Sequence, residues 1–190
     1  MRWLLTILAA LLLTAAGAQT RTIHIVAFGD SATYGWLVAR RDAYPAQLQK
    51  VLRAKGYDVV VKNEGVPGGT SSGALRHLDD VIATDIDIAL VEFGTNDLRA
   101  HVPPKRMRAN LRAIVRALQK RGIAVMVIGL GSLNLSAVTR ATHVPYAQWK
   151  LPAGEYRARD HAHFNAQGYS IVVKRMLPQV ERLIAHVSRR

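Results

Sequence analysis

The chain has 190 residues, with 26 Lys and Arg against 13 Asp and Glu, a formal charge of +13, and no cysteine. That composition excludes disulfides and thiolate metal sites, so the fold rests on an apolar core. The charge favours anionic neighbours such as lipid headgroups or acidic polysaccharide. No run of five basic residues occurs and aromatics are few, which argues against a dedicated nucleic-acid surface.

Met1 and Arg2 precede the apolar run WLLTILAALLLTAA, and the small residues of Ala16–Ala18 follow. This is the layout of a cleavable secretory leader over residues 1–18, and the run is short for a membrane span. Residues 19–190 are expected to form a single domain, exported to the periplasm or the medium.

Four apolar segments are short and rich in β-branched residues: Thr22–Gly29, Asp58–Asn63, Ile86–Gly94 and Ile123–Gly131. Their continuous apolar character predicts parallel strands covered on both faces. Helical periods lie between them. YPAQLQKVLRAKG sets Leu48, Val51 and Leu52 on one face, with Gly56 suited to the C-terminal cap. TSSGALRHLDDVIA is less regular. The clearest stripe is Met107, Leu111, Ile114, Val115 and Leu118, ended by Gly122. A last helix follows Asn165, and Pro178 is expected to kink or interrupt it. Residues 131–159 show no long helical period, although VPYAQW suits a short fifth strand. The sum is a three-layer α/β/α sandwich around a mostly parallel sheet of four to five strands.

In such a sheet, ligands bind beyond the carboxyl ends of the strands. Four polar clusters fall there: Gly29-Asp30-Ser31, NEGVPGGTSSG, Gly94-Thr95-Asn96-Asp97, and RDHAHFN before the last helix. Their chemistries are complementary. A serine nucleophile needs a base, the base needs an orienting acceptor, and the developing oxyanion needs fixed donors. Ser31, His163, Asp160, and the pair Gly68 and Asn96 can fill these roles. Each also has an ordinary reading. Ser31 suits a turn, Asn96-Asp97 suits an Asx-turn, and Asp160 with His163 suits a helix N-terminus. His161 competes with His163 for the role of base, though adjacency to Asp160 points it the other way. The glycine-rich run lacks the Lys-Ser/Thr ending of a P-loop. GDSAT is not G-x-S-x-G, which argues against a nucleophile elbow.

The four clusters in this order resemble the SGNH, or GDSL, hydrolases. GDSATYG is similar to their first block, VPGGTSSGALRHL to the second, GTND to the third and DHAHFN to the last. The likeness runs from about residue 23 to 185 and is nearest to small periplasmic acyl hydrolases acting as thioesterase, lysophospholipase or arylesterase. It implies a flavodoxin-like fold, a triad of Ser31, Asp160 and His163, and an oxyanion hole of Ser31, Gly68 and Asn96. It implies a small-molecule ester or acyl substrate, a monomer, and no metal or cofactor. Two departures stand out. Gly69 replaces the polar residue usual after the oxyanion glycine, and the helix and strand usual between the third and last blocks look truncated. A carbohydrate O-deacetylase with the same triad, and a non-catalytic module for anionic envelope polymers, are the rival readings.

Overall fold

The computed structural model describes residues 21–150 and 154–190; the leader expected over 1–18 lies outside them. A five-stranded, wholly parallel sheet is built from β1 (Ile23–Gly29), β2 (Val59–Gly65), β3 (Ile88–Glu92), β4 (Ala124–Leu130) and β5 (Tyr146–Trp149), in the order β2-β1-β3-β4-β5. The eight α-helices among the described residues are α1 (Ser31–Tyr34), α2 (Tyr44–Ala54), α3 (Ser71–Arg76), α4 (Leu78–Val81), α5 (Thr95–Arg99), α6 (Pro104–Lys120), α7 (Ser136–Thr142) and α8 (Ala166–Val187).

Alternation along each strand serves two cores. Ile23, Ile25 and Ala27 of β1 pack with Leu48 and Leu52 of α2 and with Val172 and Met176 of α8. Val26 and Phe28 pack on the other face with Leu111, Ile114 and Leu118 of α6. The inner strands β3 and β4 are covered on both faces and read as nearly unbroken apolar runs, whereas the edge strand β2 is largely half-buried or exposed. All five residues of the α6 stripe are buried, and such a side chain contributes about 1.5–3 kcal/mol through removal from water.

Three segments differ from the sequence reading. α8 runs unbroken through Pro178, although proline removes a helix hydrogen bond. Five buried residues precede the proline and four follow it, which holds both halves on the sheet. TSSGALRHLDDVIA forms two short helices separated at His77. Residues 131–159 are not irregular throughout: α7 and β5 occupy the middle of the segment, so the helix and strand that looked truncated are present. Trp149 of β5 is 1% exposed and packs edge-on against Tyr44 at 4.7 Å, which makes it a core residue.

The registers align Gly65, Gly29, Glu92, Ile128 and Ala147 in one row across the carboxyl rim of the sheet. The chain leaves β1 for β2 on one side and continues through β3 on the other. The crevice at that reversal is where the loops after β1 and β3 face a ligand.

Candidate active site

Ser31 begins α1 directly after the rim. Asp30 caps the helix, its carboxylate accepting from the Ala32 N–H at 2.9 Å, and Gly35 closes it in the left-handed region at φ 87°. Gly65 of the neighbouring strand lies against this turn. A Cβ there would sit 2.1 Å from the Tyr34 nitrogen, so only glycine allows the approach. From α8, the Tyr169 hydroxyl donates to the Ala32 carbonyl at 2.8 Å. The turn carrying Ser31 is therefore held by β2, α8 and its own cap.

The loop before α8 brings the other members. A bridge between Arg157 and Phe164, and the Ala158 N–H on the His163 carbonyl at 2.9 Å, close residues 158–163 into a compact turn. Asn165 caps α8 by accepting from the Gly168 N–H at 2.9 Å. Within the turn, His163 Nδ1 lies 2.5 Å from Asp160 Oδ2, and His163 Nε2 lies 2.9 Å from Ser31 Oγ. With the Nδ1 proton donated to Asp160, Nε2 is left as the acceptor for the Ser31 hydroxyl. His161 is exposed, at φ 58°, and makes no bond to Ser31 among the described residues.

Desolvation raises the Asp160 pKa, but hydrogen bonds from the His163 ring and from the His163 and Ala162 N–H groups outweigh it and lower the pKa to about 2. A depressed carboxyl adds stability that is present above its unfolded value of about 3.9 and is lost as pH falls through about 2. Thermal melts between about pH 4 and pH 2 should therefore show a steeper loss of stability for the wild type than for Asp160→Asn.

Asn96 enters at the start of α5. Its amide nitrogen donates to Asp30 Oδ2 at 3.1 Å and to the Gly69 carbonyl at 3.0 Å. It thus ties the loop after β3 to those after β1 and β2, and both amide protons are engaged. Asp97 is fully buried and does not form an Asx-turn with its neighbours. Its carboxylate accepts from the Ser71 N–H at 2.8 Å and the Ser71 hydroxyl at 2.5 Å, which fixes the start of α3. Gly68 sits at φ 78° in a turn closed by the Gly69 N–H on the Val66 carbonyl, and its own N–H has no backbone partner among the described residues. Gly69 is crowded: a Cβ would lie 2.9 Å from the Val66 oxygen. This gives a physical reason for the missing polar side chain there.

A cavity of about 70 Å3 opens beside Ser31 and His163, with Thr95, Arg99, Leu130 and Phe164 on its walls. Gly68 borders a second cavity of about 380 Å3 whose lining includes Phe28 and Phe93. Arg99 and the buried acid Glu92 went unnoticed in the sequence. Arg99 follows the GTND motif closely enough to have been suspected, whereas Glu92 is concealed in an apolar strand.

The model of the GDSL-like lipase/acylhydrolase family matches residues 27–150. The chain belongs to that family. Esterase TesA of Pseudomonas aeruginosa is 30% identical over 122 residues, covering 64% of this chain and 60% of the relative. The chain spans less than two thirds of the curated relatives it matches, 60% of one and 56% of another. Among solved structures, psychrotrophic esterase EstA from Pseudoalteromonas sp. superposes with a TM-score of 0.77 at 20% identity, over 85% of this chain and 98% of that one. AlinE4, an SGNH-hydrolase family esterase, gives a TM-score of 0.67 at 25% identity over 85% and 96%. The α/β fold is therefore that of the SGNH hydrolases.

Proposed function

We propose that this protein is a serine ester hydrolase acting through an acyl-enzyme on Ser31. The observation that carries the reading is the unbroken hydrogen-bond chain from Asp160 through His163 to Ser31 Oγ. His163 Nε2 takes the hydroxyl proton as Ser31 Oγ attacks the acyl carbonyl carbon, and Asp160 holds the imidazolium that results. The carbonyl oxygen becomes an oxyanion and accepts from the Ser31 N–H, the Gly68 N–H and the Asn96 amide. Asn96 supplies its proton at the expense of its bond to the Gly69 carbonyl. The oxyanion then collapses, the bond to the leaving oxygen or sulfur breaks, and His163 returns the proton to that atom. Water, deprotonated by His163, attacks the acyl-enzyme. The acid leaves, and Ser31 regains its proton. Every step is acid–base and acyl transfer, for which these side chains suffice.

The acyl group is short. The cavity of about 70 Å3 beside Ser31 and His163 has room for only a few waters, which suits a small acyl group. Acetyl to butyryl groups meet that limit. The same size favours a second reading, removal of acetyl groups from a carbohydrate. The leader read in residues 1–18 directs the activity to the periplasm or the medium.

A p-nitrophenyl ester series from acetyl to dodecanoyl, run beside acetylated xylan, an acyl thioester and a lysophospholipid, tests both parts. The expected result is a kcat/KM greatest for acetyl to butyryl and falling with longer chains. A maximum at decanoyl or beyond would overturn the short-acyl assignment, and hydrolysis of none of them would overturn the enzyme reading.

A further inference from the structure

Glu92 is a buried acid that the mechanism above does not use. Glu92 ends β3 at 1% exposed, paired in register with Gly29, so it lies beside the turn that carries Ser31. Its Oε2 accepts from the Asp30 N–H at 3.3 Å and from the Thr33 hydroxyl at 3.1 Å. One contact precedes Ser31 by a single residue, and the other follows it by two. A strand that served only the core would carry an aliphatic side chain at this point.

The ionisable groups facing Glu92 are Asp30 at the end of β1, Tyr44 of α2 and Tyr169 of α8; Ile128 is its partner in β4. Glu92 enters no ion pair among the described residues. Burial first, and then the Asp30 charge, hold the Glu92 carboxyl well above the usual carboxylate range. Burial also raises Asp30, but the Ala32 N–H favours its anionic form, so of the two acids Glu92 is the one that holds a proton. His163 and Arg99 act on Asp30 from the open side and further favour its anionic form.

We propose that Glu92 is a positioning residue for the nucleophile: its carboxyl, accepting from the Asp30 N–H and the Thr33 hydroxyl, clamps residues 30 and 33 on either side of Ser31. The proposal rests on Ser31 being the nucleophile. It carries a pH consequence. Loss of the Glu92 proton places two buried carboxylates side by side, which repel and open the clamp. The alkaline limb of activity then reports Glu92.

Two variants and two readouts test this. Glu92→Gln keeps an acceptor for the Asp30 N–H and the Thr33 hydroxyl, but cannot ionise. Glu92→Leu keeps the bulk and loses the polar contacts. The expected result is that Glu92→Gln retains turnover on p-nitrophenyl acetate while the alkaline limb of its kcat/KM profile moves upward or disappears. Glu92→Leu, checked for folding by circular dichroism, should react with a fluorophosphonate about 10- to 100-fold more slowly at Ser31, as expected from a misplaced nucleophile. Wild-type and Glu92→Gln profiles that superimpose would overturn the proposal, as would equal labelling rates for wild type and a folded Glu92→Leu. If Glu92→Leu does not fold, the Glu92→Gln profile decides. Absence of labelling at Ser31 in the wild type would instead overturn the nucleophile reading, so the two failures are distinguishable.

Discussion

Replacing Ser31 by alanine should lower kcat on p-nitrophenyl butyrate by about 10⁴–10⁶-fold, and His163→Ala should do the same. The double substitution should be no slower than either single one, because nucleophile and base act as one unit. The fold should survive. Among the described residues Ser31 Oγ makes one hydrogen bond, to His163, while the backbone of the turn is held by Asp30, Glu92 and Tyr169. A melting temperature near that of the wild type is therefore part of the expected result. His161→Ala should keep most of the activity, since that ring is exposed and is not bonded to Ser31. Activity of Ser31→Ala within about tenfold of the wild type would remove Ser31 from the mechanism, because a tenfold change is only about 1.4 kcal/mol in barrier. A loss for His161→Ala exceeding that for His163→Ala would reassign the base.

The sequence made the strands legible because burial on both faces leaves an unbroken apolar run, as in Ile25, Val26, Ala27 and Phe28. The same rule hid Glu92. It sits in the run IDIALVEFG, where an acid looks like the edge of a strand; the structure buries it completely. α7 was missed for a related reason. Thr139 and Thr142 are buried, yet they read as polar loop residues. Their hydroxyls bond to the carbonyls of Ser136 and Val138 within the same helix, so burial leaves no unsatisfied group. Pro178 was over-weighted. A missing helix hydrogen bond is local, whereas the nine buried residues of α8 hold the helix along its length. The pairing of Asp160 with His163 was legible as a three-residue spacing. The bond from Asn96 to Asp30, which joins positions 66 residues apart, was not.

Asn96→Ala should lower kcat by about 10²–10³-fold, the usual loss on removing one oxyanion donor, with a smaller change in KM. Asn96 has two tasks to separate. It donates to Asp30 Oδ2 and the Gly69 carbonyl in the free enzyme, and it is assigned to the oxyanion in the transition state. Asn96→Asp distinguishes them. It nearly preserves the shape, but it sets a carboxylate against the Asp30 carboxylate and the Gly69 oxygen with nothing to donate. Repulsion of the oxyanion then adds to the lost bond, so Asn96→Asp should be slower than Asn96→Ala at neutral pH. At acid pH the introduced carboxyl takes up a proton and regains one donor, and the gap between the two variants should narrow or reverse. If Asn96 were a brace only, stability would fall in both variants while kcat on the folded protein fell less than about tenfold, below the loss typical of an oxyanion donor. The ratio of kcat loss to melting-temperature loss across the two substitutions therefore separates the chemical role of Asn96 from its structural one.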